Sequence, residues 1–185
     1  VRAPAVSREQ IIAAADAVAR RDGLDRLTAR ALCAELRLTP PAIYRHFATM
    51  ELIVDQVVDD VIGRVDLPGP EVGDWADRLR ACFLSVHDVI TDYPGLAARM
   101  GRHLPYGPSG ARNARFLHDL LATAGVADEN RQKILYAVFV YVWGHLLAAD
   151  AAAVLLDFNA RAAHGREQFL WGLDHLLDSF RRLGA

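Results

Sequence analysis

A chain of 185 residues with 52% hydrophobic and 24% charged side chains can bury a sizeable core, which excludes a disordered or fibrous protein. Its formal charge of −2 hides an uneven split. Residues 1–48 hold eight arginines against five acids, a net of +3, and the remainder holds thirteen basic residues against eighteen acidic ones, a net of −5; a basic head on an acidic body suits a polyanionic partner at one end only.

No segment alternates with the period of a strand, and apolar residues recur at spacings of three and four throughout, so an all-α fold is expected. The first helix opens at Ser7, where Ser7 and Gln10 form a capping box. Ile11, Ile12, Ala15, Val18 and Ala19 make its apolar stripe, and Gly23 stops it. The second runs from the cap Thr28 to about Leu36. After Arg37-Leu38 a third starts at once, with Thr39 as its cap and Pro40 and Pro41 in the first turn, where no amide partner is needed, and it ends near Phe47. Thr49 caps a fourth helix through about Val65, and Asp66–Pro70 breaks it. Further helices are expected over about 74–92, 94–102, 109–124, 128–150 or beyond, and 166–183.

Two short helices joined by so tight a turn form a helix-turn-helix, whose second helix enters the major groove of DNA. Ile43 and Phe47, four apart, share a face that can lock this helix inward. Tyr44, Arg45 and His46 then point outward, a phenol, a guanidinium and an imidazole suited to phosphates and base edges, with Arg30 near the same surface. Packing at the domain junction is the alternative for Tyr44 and His46, and a solvated helix position for Arg30.

The run Leu27-Thr28-Ala29-Arg30-Ala31-Leu32, followed by Leu38-Thr39-Pro40-Pro41-Ala42-Ile43-Tyr44-Arg45-His46-Phe47, resembles the N-terminal domain of TetR-type regulators. That resemblance implies a bacterial one-component repressor. Thr28 and Tyr44 would hold phosphates, Arg30, Pro40, Ala42 and Arg45 would face base edges, and His46 would lie at their margin; Thr39 completes the set. Two positions depart from the pattern. Arg37 stands where such regulators carry glycine, at a cost of about 1 kcal/mol if the backbone there is left-handed. Thr49-Met50 stands where a phosphate-gripping lysine is usual.

Asp74-Trp75, Tyr93-Pro94, the Gly125 turn and Tyr141-Val142-Trp143-Gly144 resemble the C-terminal domain of the tetracycline-repressor branch, as does His103-Leu104, whose histidine there ligates a drug-borne metal. The rest of that drug site is replaced by Val65, Cys82, Val86 and Ala148, so no metal is expected, and His103 is read as a pocket polar group or an ordinary helix-end histidine. Leu79, Cys82, Phe83, Val86, Phe116, Leu120, Val138, Tyr141 and His145 are candidates to line an apolar small-molecule cavity; plain core is the alternative for each.

Ile134–Ala149 is apolar apart from His145, but its sixteen residues fall short of the about 20 that span a bilayer, so a buried central helix and no membrane partner are expected. Its excess apolar surface, together with Phe169, Leu170, Leu173, Leu176, Leu177 and Phe180 on the last helix, predicts a symmetric four-helix homodimer interface. Two heads would then read double-stranded DNA as an inverted repeat.

Cys33 and Cys82 lie among apolar residues and are expected as buried free thiols in a reducing cytoplasm. Val1–Gln10 carries no apolar run of the secretory kind. No Glu-x-x-His pair, phosphate-cradling loop or nucleophile elbow is present, so neither catalysis nor a cofactor is expected. The division expected is a DNA-binding domain over 1–48 and a ligand-binding and dimerisation domain over 49–185. The alternatives are a regulator controlled by a protein partner without a small-molecule ligand, or a helical-bundle enzyme.

Overall fold

The computed structural model describes residues 6–102, 107–155 and 165–182, with 149–155 as backbone alone. Its helices are α1 (Arg8–Asp22), α2 (Ala29–Leu36), α3 (Pro40–Tyr44), α4 (Met50–Ile62), α5 (Trp75–Thr91), α6 (Leu96–Arg102), α7 (Pro108–Thr123), α8 (Asp128–Leu155) and α9 (Arg166–Arg182). Among the described residues there is no strand. Single 3-10 turns at Leu24–Arg26 and Pro70–Val72 were not anticipated.

Local side-chain chemistry sets four of the helix starts. Ser7 Oγ accepts from the Gln10 amide at 3.2 Å while Gln10 Oε1 accepts from the Ser7 amide at 2.9 Å, the reciprocal box read from the sequence. Thr28 and Thr49 accept from Ala31 and Leu52 in the same way. Asp74 and Asp77 build a second capping box at α5. Thr39 departs from expectation: its side chain caps nothing. Pro40 and Pro41 bring no N–H to the first two positions, and the Ala42 amide goes to the Thr39 carbonyl at 2.9 Å instead.

Two helices end earlier than predicted. α3 stops at Tyr44, because the His46 and Phe47 amides both turn back to the Ile43 carbonyl. α4 stops at Ile62, where Asn113 and Arg112 of α7 donate to the carbonyls of Ile62 (3.1 Å) and Gly63 (3.0 Å). The Ile62 carbonyl also accepts from the Val65 amide at 3.2 Å, so α7 side chains add to the cap that the chain itself begins at the end of α4.

One continuous apolar core runs from Ile11 in α1 through Leu32, Ile43, Ile53, Val57, Leu79, Leu121 and Val138 to Leu177 in α9. α4 packs on α1 at one side and on α5 and α7 at the other, so it links the first three helices to the body. Within the single chain, α8 is buried on one side only. Ile134, Val138, Val142 and Leu146 face the core, while Tyr136, Phe139, Val140 and Leu147 on the other side are exposed. Phe169, Leu173 and Leu177, expected in a dimer interface, are instead used up in the core of the single chain. No helix among the described residues is long and apolar enough to cross a membrane.

Candidate nucleic-acid interface and effector region

The α2–α3 turn pivots on Arg37, the single non-glycine residue with positive φ among those described (φ 53°, ψ 45°). Its left-handed backbone lets the Leu38 amide reach the Cys33 carbonyl at 3.0 Å, which ends α2 and redirects the chain into α3. A side chain at this position costs about 1 kcal/mol or more against glycine.

With Ile43 and Phe47 packed inward, α3 turns an arc of Thr39, Pro40, Pro41, Tyr44 and Arg45 to the surface. Tyr44 is 45% exposed. Ala42 is 8% exposed. In a helix of barely more than one turn it sits beside Ile43 on the inner flank, so it offers little surface for the base-edge contact expected of it. His46 is half-buried. Thr28 is exposed; its oxygen accepts from the Ala31 amide, which leaves the hydroxyl proton available to a phosphate.

The arginines of this region divide by position. Arg20 pairs with Asp92 at 2.5 Å, and Arg21 pairs with Asp22 and Glu35. Arg26, Arg30, Arg37 and Arg45 are exposed and form no ion pair with any described residue. Unneutralised guanidinium groups around α2 and α3 leave a positive field where a polyanion would dock. Sequence reasoning missed Arg8, whose guanidinium donates to the His46 carbonyl at 3.2 Å and lies over the Phe47 ring, 3.9 Å from its centre. A contact spanning 38 residues leaves no local sequence signal.

The expected effector residues sit on α5, α7 and α8, which pack against one another. Leu79, Cys82, Phe83, Leu120 and Val138 are buried, and Val86, Phe116, Tyr141 and His145 are half-buried. His103 lies outside the described residues. Burial, followed by the nearby charge of Asp66, pushes the Cys82 thiol up to about 12, so it stays a protonated, unreactive apolar group. Cys33 and Cys82 are both free and buried, as expected. The Tyr141 hydroxyl donates to the Phe169 carbonyl at 2.8 Å, so it holds α9 in place.

His87 on α5, which sequence reasoning passed over, is the buried polar side chain of this region. Its ring stacks on Phe169 (4.5 Å between centres) and lies 5.6 Å from the His145 ring. Its Nδ1 is 3.1 Å from Asp88 Oδ1. Burial alone would raise the Asp88 carboxyl, but Arg166 and His87 together hold it below its ordinary value. Among the described residues, no group of three or more His, Cys, Asp or Glu is placed to hold a metal.

Two open grooves lie elsewhere. One of about 560 Å³ runs between α1 and α4 past Ile12, Asp16, Gln56 and Arg64. The other, of about 450 Å³, continues beyond Arg64 along α5 past Asp66, Ser85 and Asp88. None of the expected effector residues lines either.

Head and body are joined at several points. Arg99 of α6 bridges Glu51 (2.5 Å) and Asp55 (2.7 Å) of α4. The Ser109 amide at the start of α7 donates to Asp59 at 2.9 Å. Arg64 and Tyr93 both reach Asp16 of α1. The Leu24 amide donates to the Pro94 carbonyl at 2.9 Å, an approach that Gly23 (φ 92°) permits, since a Cβ there would meet that same carbonyl oxygen at 3.2 Å. The outer side of α8 and α9 carries exposed apolar residues, among them Tyr136 (72%), Val140 (49%) and Trp171 (60%).

A helix-turn-helix head fixed through α4 to a larger helical body is the build of a DNA-binding regulator. The family profile of bacterial regulatory proteins of the tetR family matches residues 11–57, and the profile of the tetracyclin repressor-like C-terminal domain matches residues 67–170. The chain belongs to the TetR family of transcriptional regulators. An HTH-type transcriptional regulator of Saccharopolyspora erythraea is 29% identical over 145 residues, covering 78% of this chain and 61% of that protein. The chain therefore spans less than two thirds of the curated relative it matches. A TetR variant from Acinetobacter baumannii AYE in complex with minocycline superposes with a TM-score of 0.77 at 27% identity, over 97% of this chain and 99% of that one. ActR from Streptomyces coelicolor in complex with (S)-DNPA gives 0.75 at 22% identity, over 98% and 99%, a likeness of fold.

Proposed function

We propose that this chain is a repressor that binds an inverted-repeat operator as a homodimer in the cytoplasm and leaves it when a small molecule enters the body. The observation that carries the reading is the exposed arc of Thr39, Pro40, Pro41, Tyr44 and Arg45, bordered by Arg30 and Arg37, which form no ion pair with a described residue. Residues 1–48 form the DNA-binding head and 49–185 the ligand-binding and dimerising part. Thr28 and Tyr44 grip phosphates, Arg30, Pro40 and Arg45 reach base edges, and Thr39 and His46 border the contact. Ala42 supports α3 from its inner flank. The exposed stripe of α8 with Trp171 of α9 pairs with its copy, so that two recognition helices face one side of the duplex.

The minocycline-bound Acinetobacter relative supports a small molecule as effector. The half-buried Val86, Phe116 and His145, beside the buried Leu79, Phe83, Leu120 and Val138, favour a largely apolar ligand with few polar groups, not a metal-bound drug. The ligand acts by preferring a different spacing of the two heads, transmitted through α4. This reading assigns no catalysis to the chain. Selection from a random duplex pool tests it: the protein enriches an inverted repeat whose half-sites lie on one face of the helix. Enrichment of no motif, or of an isolated half-site, overturns it.

A further inference from the structure

Five residues make α3 the shortest α-helix among those described, and its sequence denies it ordinary support. Pro40 and Pro41 donate nothing, and the Ala42, His46 and Phe47 amides fold back onto the Thr39 and Ile43 carbonyls. A helix of little more than one turn does not hold itself in water, so the orientation of Tyr44, Arg45 and His46 depends on what surrounds it. From inside, Ile43 and Phe47 anchor it to the core. From outside, Arg8 in the first turn of α1 donates Nη1 to the His46 carbonyl at 3.2 Å and places its guanidinium carbon over the Phe47 ring, 3.9 Å from the centre. Arg8 forms no ion pair with a described residue. Its charge is directed at a carbonyl just past the end of α3 and at an aromatic face, two places that favour a cation.

We infer that Arg8 is a positioning residue for DNA reading: it sets the angle of the recognition helix from α1 and does not itself grip the duplex. The inference rests on the repressor reading above. It separates two effects that removal of a cation near DNA ordinarily mixes. Loss of a phosphate contact weakens specific and non-specific binding alike and flattens the salt dependence; loss of helix orientation weakens specific binding and leaves the rest.

The test compares the unaltered protein with Arg8→Ala and Arg8→Lys on two duplexes, the inverted repeat enriched from the random pool and a scrambled duplex of equal length, over a salt series. Arg8→Ala is expected to bind the repeat about ten-fold more weakly, the worth of one charge-assisted hydrogen bond, with the scrambled duplex changed less than about two-fold. Arg8→Lys keeps the charge without the flat fork, and is expected to lose about three-fold on the repeat with an unchanged salt slope. This second variant carries the test if Arg8→Ala does not fold. Equal losses on both duplexes with a shallower salt slope overturn the inference in favour of a phosphate contact, and full binding of the repeat by both variants overturns it outright. Failure to enrich any repeat is a different result, and sinks the repressor reading along with it.

Discussion

The Tyr93 hydroxyl donates to Asp16 Oδ1 at 2.7 Å, joining the corner between α5 and α6 to the first helix of the head across 77 residues of sequence. Arg64, two residues past the end of α4, bonds the same carboxylate at 2.8 Å and also contacts the Tyr93 hydroxyl. Three segments therefore meet at one oxygen. Tyr93→Phe removes the hydroxyl and leaves the Arg64–Asp16 pair, so the expected cost is about 1 kcal/mol and a melting temperature lower by about 2–4 °C. Exchange of the Leu24 amide, which donates to the neighbouring Pro94 carbonyl, should quicken in the same variant. An unchanged melting curve with unchanged Leu24 protection would show that this junction contributes nothing.

Arg37 adopts a backbone conformation that suits glycine. Arg37→Gly relieves the Cβ clash but adds freedom to the unfolded chain, so a net gain of about 0.5–1 kcal/mol is expected in urea denaturation. A loss of stability would mean that the arginine side chain contributes more than its backbone costs.

Arg181 near the end of α9 bonds Asp74 (2.6 Å) and Asp77 (2.7 Å) at the start of α5. The Arg181 hydrogen bond, helped by the Ala76 and Asp77 amides against the cost of burial, holds the Asp74 carboxyl below its ordinary 3.8. A carboxyl lowered on folding contributes stability that is fully present above that ordinary value and disappears as pH falls through the folded one. Arg181→Gln should therefore be less stable at neutral pH, with the deficit shrinking below about pH 4 in a denaturation series. A deficit that stays constant down to acid would show that the pair is not the cause.

On α8, Val140 is exposed beside Phe139, whose ring stacks on Trp143 at 5.1 Å. If this stripe is where two copies meet, Val140→Glu buries an unpaired charge at the interface and should shift sedimentation from dimer to monomer, with repeat binding lost in step. A variant that stays dimeric places the interface elsewhere.

Much of the architecture was legible because it is encoded locally. Ser7 with Gln10, Thr28, Thr49 and Gly23 act within a few residues of themselves, and each marks the helix end it was read to mark. Thr39 failed as a cap for an equally local reason, the two prolines after it. What escaped notice is long-range. Neither the Arg8 contact with His46, nor the stack of His87 on Phe169, nor the α7 side chains that close α4 leaves any periodic trace. Apolar spacing marked Phe169, Leu173 and Leu177 as an interior face, but it does not state which interior; the chain's own core claims them. Ala42 was expected at a base edge from the family resemblance alone, and its 8% exposure leaves it little surface for that contact.

The central claim is that Arg45 on the exposed arc of α3 reads bases. Binding of the selected repeat and of a scrambled duplex should be compared between Arg45→Ala and the unaltered protein. The expected result is a loss of about 1–3 kcal/mol on the repeat per half-site, concentrated at one base position, with non-specific binding far less affected. Undiminished discrimination between the two duplexes would contradict the assignment of α3 as the recognition helix.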